Sequence, residues 1–142
     1  MATILVVDDD PDFLEFTRIV LESRGHRVLT ANNGEAGLAL ARAARPDLAI
    51  LDILISYSLT GLSLLQEVRA DPHIASIPVL VVTSIGKSRA VESLIPDFQA
   101  FASVILFKPL DPNELLAQVE ASLAARASRS QLPPGEILSG QD

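Results

Sequence analysis

Five short aliphatic runs lie within the first 107 residues: Ile4-Leu5-Val6-Val7, Arg27-Val28-Leu29-Thr30, Leu48-Ala49-Ile50-Leu51, Val79-Leu80-Val81-Val82 and Val104-Ile105-Leu106-Phe107. Each has the length of a strand. Four are almost continuously apolar, as parallel strands covered on both faces must be, and the run at Arg27 reads as more peripheral. Helical patterns separate them. Phe13, Phe16 and Val20 recur at helical spacing from Asp12 to Ser23, with Pro11 and Asp12 suited to a start and Gly25 to a stop. Asn33–Ala44, Leu62–Arg69, a weaker stretch from Ser88 to about Ile95 cut by Pro96, and a last helix opened by Asp111-Pro112 complete the series. Strand and helix alternate five times. That alternation selects an α/β fold, a doubly wound parallel sheet between helix layers with right-handed crossovers.

At 142 residues the chain has the size of one domain. Aromatics make up only 4%, so the core must be aliphatic. Ser, Pro, Gly and Gln dominate the end of the chain, and residues 127–142 are expected to form a flexible tail or linker stub behind a domain at 1–126. The net charge of −7 argues against direct nucleic-acid binding and against docking on an anionic membrane. No cysteine is present, which fits a reducing cytoplasm, and the opening residues resemble neither a signal peptide nor a spanning helix. A cytoplasmic location is the expectation.

In a parallel α/β sheet, ligands bind beyond the carboxyl ends of the strands. The residues that follow the apolar runs are therefore the informative ones: Asp8-Asp9-Asp10, Asp52, Thr83-Ser84 and Lys108-Pro109. Clustered carboxylates repel one another unless a cation neutralises them, and an all-oxygen set suits Mg²⁺. Phosphoryl transfer needs an in-line nucleophile, a metal to offset charge, and donors for the equatorial oxygens. Asp52 is the candidate nucleophile, Asp8 and Asp9 the candidate metal ligands, and Thr83 and Lys108 the candidate oxygen donors. Taken singly, each has a plainer explanation. An Asp after a strand is commonly a cap, an acidic triplet commonly favours a helix start, and His26 and His73 read as surface-turn residues. The order carries the signal, because all four groups fall at strand ends of one sheet.

Ile-Leu-Val-Val-Asp8-Asp9-Asp10-Pro, Leu51-Asp52, Val-Val-Thr83-Ser84 and Phe107-Lys108-Pro109 together resemble the signature of response-regulator receiver domains over residues 3 to about 125. The resemblance implies a flavodoxin-like sheet with strand order 2-1-3-4-5, flanked by about five helices. It implies that Asp8, Asp9 and Asp52 serve Mg²⁺ together with the backbone carbonyl of Leu54, that Asp52 is phosphorylated, and that Thr83 and Lys108 sense the phosphoryl group. It also implies a donor, a histidine kinase or histidine phosphotransfer protein, and a downstream protein that reads the switch. Pairing into a homodimer is compatible with it. The expected function is a stand-alone signalling switch of a two-component system, a phosphoprotein that catalyses only its own phosphorylation and dephosphorylation and is otherwise no enzyme.

Three places depart from the family pattern. Gly61 lies nine residues after Asp52, across a loop without proline. Ile105 stands where a switching Tyr or Phe is usual, and Phe107 is expected on the opposite face. The stretch from Thr83 to Lys108 is long, with Pro96, Phe98, Ala100 and Phe101 inside it. An altered signalling route through 85–102 is therefore expected. Ile105 and the irregular 53–60 loop favour an alternative, a phosphorylation-independent pseudo-receiver that binds proteins, and the intact set of Asp8, Asp9, Asp52, Thr83 and Lys108 opposes it. A Mg²⁺-dependent phosphohydrolase is a weaker alternative, since no general acid is evident beyond the shared set.

Overall fold

A computed structural model of the protein describes residues 2–52, 61–83, 102 and 104–130, with backbone only at 61–62 and 127–130. The element order is β1 (Thr3–Val7), α1 (Pro11–Glu22), β2 (Arg27–Ala31), α2 (Gly34–Ala44), β3 (Leu48–Asp52), α3 (Gly61–Ala70), β4 (Val79–Thr83), β5 (Val104–Phe107) and α4 (Pro112–Ser130). The five strands form one parallel sheet in the order 2-1-3-4-5. Four of the expected helices lie among the described residues. The one expected at Ser88–Ile95, the 85–102 route apart from Ala102, and Leu54 lie outside them.

The alternation of side chains explains why the strand sequences are continuously apolar. Ile4, Val6, Leu48, Ile50, Leu80, Val82 and Leu106 point into a cluster with Phe13 and Leu21 of α1 and Leu115, Leu116 and Val119 of α4. Leu5, Val7, Ala49, Leu51, Val79 and Val81 point the other way, onto Ala41 of α2 and Leu64, Leu65 and Val68 of α3. Both faces are covered, so every second residue is as apolar as the first. At the sheet edge β2 is more exposed, as its sequence indicates. Among the described residues no helix is long and apolar enough to cross a membrane.

Local chemistry sets the helix ends. Asp10 caps α1 by accepting from the Asp12 amide at 3.0 Å, with Pro11 at the first helical position. Asn33 caps α2 by accepting from the Ala36 amide at 2.8 Å. Gly25 takes a φ of 83° in the turn after α1, a conformation that favours glycine.

Two expectations need correction. Phe107 is two residues from Ile105 and therefore projects to the same face, beside Thr83 in the β4–β5 register, where it is 43% exposed. The last helix runs to Ser130, four residues past the boundary expected at 126. Its Ala- and Arg-rich end has good helix propensity, and Arg126 anchors it by donating to the backbone oxygen of Asp47 at 2.8 Å. His26 also differs in detail, since its Nδ1 accepts from the Ala2 amide at 3.2 Å and it is partly buried.

The close approach of α2 to β1 yields a stability prediction. A Cβ at Gly37 would lie 2.7 Å and 3.1 Å from the two γ-carbons of buried Val7. Ordinarily Gly→Ala inside a helix gains about 1 kcal/mol. Here Val7 is β-branched and packed, so the overlap has no cheap escape and overpacking costs about 1–3 kcal/mol. Gly37→Ala is expected to lower the urea midpoint of unfolding; a midpoint that rose would show that the contact yields easily.

Candidate functional site

Parallel strands bring their carboxyl ends to one edge, and the apolar runs stop where that edge begins. Asp8 follows β1 directly, and its amide donates to Ala31 O at 3.1 Å, tying it to the end of β2. Asp52 and Thr83 are the last residues of β3 and β4. Lys108 follows β5, and its amide donates to Thr83 O at 2.8 Å, extending the ladder by one residue.

The side chains converge. Asp8, Asp9 and Asp52 each offer a carboxylate oxygen, and these oxygens lie within 4.8 Å of one another. The Lys108 ammonium donates to Asp8 Oδ2 at 2.8 Å and to Asp52 Oδ2 at 3.3 Å. The other oxygen of Asp8 accepts from the Asp10 amide at 2.9 Å. Asp8 is fully buried and Asp52 nearly so, while Asp9 is exposed. The Thr83 hydroxyl is buried and has no hydrogen-bond partner among the described residues.

Three carboxylates against one ammonium leave two formal negative charges within this group. Burial pushes the Asp8 carboxyl above its usual range; the Lys108 hydrogen bond and the Asp10 amide oppose this, and the Asp52 charge adds to it. For Lys108, burial acts downward, but the bond to Asp8 and the charges of Asp52 and Asp8 outweigh it and raise its pKa. The ammonium therefore stays charged, and among the groups named here negative charge is in excess.

A pH prediction follows from Asp8. Because its folded pKa is raised, the folded state holds the proton more tightly than the unfolded chain does. Its ionisation therefore costs stability as pH rises from the ordinary carboxylate value through the raised one. Relative to Asp8→Asn, the wild type in metal-free buffer is expected to lose unfolding free energy across that interval, and saturating Mg²⁺, which favours the ionised carboxylate, should reverse that dependence. Urea titrations at a series of pH values measure this, and parallel profiles without metal would contradict the assignment.

The structure thus brings Asp8, Asp9, Asp52, Thr83 and Lys108 to one edge, and of the residues expected at the site only Leu54 falls outside the described ones. Asp10, the third member of the acidic triplet, is the α1 cap. One neighbour escapes a reading by spacing. Phe13 has the pattern of a core helix residue, yet its ring centroid lies 4.3 Å from the Lys108 ammonium.

Comparison with known proteins agrees with this fold. A family model described as the response regulator receiver domain matches residues 4–120. Protein PilH of Pseudomonas aeruginosa is 37% identical over 124 residues, covering 87% of this chain and 99% of its own. The DNA-binding dual master transcriptional regulator RpaA of Synechocystis sp. is 38% identical over 87% of the chain, which spans only 49% of that relative's length. The chain likewise spans 55% of the DNA-binding response regulator MtrA of Mycolicibacterium smegmatis. Among solved structures, the receiver domain of NtrX from Brucella abortus is 30% identical with a TM-score of 0.75, over 85% of this chain and 98% of that one.

Proposed function

This chain belongs to the response-regulator receiver family of two-component signalling, and from that premise we propose that it is a switch operated by phosphorylation of Asp52. The observation that carries the reading is the Lys108 ammonium, which spans Asp8 and Asp52 at the strand ends, while the buried Thr83 hydroxyl at the end of β4 has no hydrogen-bond partner among the described residues. A candidate nucleophile, a cation and a hydroxyl donor at the ends of three strands of one sheet support it, since phosphoryl transfer requires such groups.

An oxygen of Asp52 attacks phosphorus as the donor's phosphorus–nitrogen bond breaks, and the departing imidazole takes up a proton. A phosphohistidine on a histidine kinase or phosphotransfer protein is the donor class. Lys108 transfers one hydrogen bond from the Asp52 carboxylate to a phosphoryl oxygen, and the Thr83 hydroxyl donates to another. Movement of Thr83 toward the phosphoryl group changes the β4 end of the sheet, and a downstream protein reads the two states.

The carboxylates of Asp8, Asp9 and Asp52 fit Mg²⁺, being hard oxygen donors with excess negative charge, and the Leu54 carbonyl is assigned as a fourth ligand on the family pattern alone. When bound, the ion supplies charge neutralisation at the transferring phosphoryl group. Lys108, held by Asp8, orients the acceptor carboxylate of Asp52 by donating to it.

The test is a time course of intact mass with Mg²⁺ and acetyl phosphate, and then with a phosphohistidine donor. Gain of one phosphoryl group that requires Mg²⁺ supports the reading. Ile105, packed beside Val79 and Val81 in the core, favours a second reading, a binding module that works without phosphate. That reading takes over if neither donor modifies the protein.

A further inference from the structure

The Phe13 ring stands at the acidic edge without a part in the chemistry above. It projects from the first turn of α1, is 9% exposed, and has Phe16 at a ring-centroid distance of 6.3 Å. Its centroid is 4.3 Å from Lys108 Nζ, the same atom that donates to Asp8 and Asp52. An aromatic face carries partial negative charge and attracts a cation at this distance, more strongly where water is scarce. A lysine ammonium sits on a flexible four-carbon stem and is strongly hydrated, so a purely aliphatic neighbour would favour its swing toward solvent. The ring removes that incentive.

We propose that Phe13 is a positioning residue for phosphoryl transfer, its ring face holding the Lys108 ammonium over the Asp8–Asp52 pair where the phosphoryl oxygens arrive. The inference rests on the phosphoacceptor reading and adds a residue to it. Phe13→Leu keeps an apolar side chain and removes the ring, whereas Phe13→Tyr keeps the ring.

The experiment is a double-mutant cycle of Phe13→Leu and Lys108→Met, with Phe13→Tyr alongside. Initial rates of phosphoryl incorporation from acetyl phosphate are read by intact mass in saturating Mg²⁺. Phe13→Leu is expected to slow incorporation by roughly 3- to 30-fold, the range of a cation–π contact, without weakening Mg²⁺ binding. Phe13→Tyr should recover the rate. In the Lys108→Met background, Phe13→Leu should produce no further slowing. A packing effect spread through α1 would instead repeat the same slowing there, and that result overturns the proposal, as does a wild-type rate in Phe13→Leu. Urea unfolding of the four proteins of the cycle without Mg²⁺ gives a second readout, in which strictly additive losses would show that ring and ammonium do not interact. If no variant and no wild type is modified by acetyl phosphate or a phosphohistidine donor, the phosphoacceptor reading itself fails and takes this inference with it. If the wild type is modified and Phe13→Leu keeps pace, only the inference fails.

Discussion

Asp52→Asn is expected to gain no phosphoryl group under conditions in which the wild type gains one, a loss of roughly a thousandfold or more in rate. An amide oxygen is a poor nucleophile and cannot form the acyl phosphate, whereas the substitution barely changes side-chain volume. Asp52 is nearly buried at the end of β3, and an amide there still accepts from Lys108, so the fold should persist. The chain has no tryptophan, so mass is a more direct readout than intrinsic fluorescence. Modification of Asp52→Asn at the wild-type rate would move the acceptor elsewhere, with Asp8 the next candidate by position.

The second large effect concerns Lys108 before any phosphoryl group arrives. In Lys108→Met the stem is retained and the ammonium lost, leaving Asp8 and Asp52 without their shared cation. Removing one partner of a buried ion pair costs about 3 kcal/mol or more, because the remaining charge is uncompensated. For a domain of this size that corresponds to a melting temperature lower by roughly 10 °C in metal-free buffer. The raised pKa of Asp8 moderates the loss, since the acid can take up a proton. Mg²⁺ should restore most of the stability and bind more tightly than to wild type, as its competitor for the carboxylates is gone. Calorimetric melting with and without Mg²⁺ decides the matter. An unchanged melting temperature without metal would mean that the ammonium spends its time in solvent and not on the acids.

Much of this was open to reading from the chain itself, for a physical reason. Parallel strands covered on both faces are apolar throughout, so each run ends abruptly where the buried layer ends. Asp8, Asp52, Thr83 and Lys108 sit at those abrupt ends, and topology does the rest. Periodicity is a poorer guide where a residue serves two purposes. Phe13 fits the apolar stripe of α1, and nothing in its spacing shows that α1 crosses near the end of β5. Asp10 is indistinguishable by type from Asp8 and Asp9, and only the Asp12 amide marks it as a cap. Phe107 shares its face with Ile105 because a strand repeats every second residue, so it stands beside Thr83 and not behind the sheet.

The missing methyl group at Gly37 has a consequence for anyone engineering this domain. Replacement of a helical glycine by alanine is among the safest ways to toughen a protein. In this chain Val7, the residue that Gly37 touches, is joined directly to Asp8. The distance between α2 and β1 thus works as a gauge block for the acidic edge, and a side chain inserted there would push on Val7 and, through the chain, on Asp8. A thermostability campaign would register that overlap as a lower melting temperature, so position 37 is one to leave out of it.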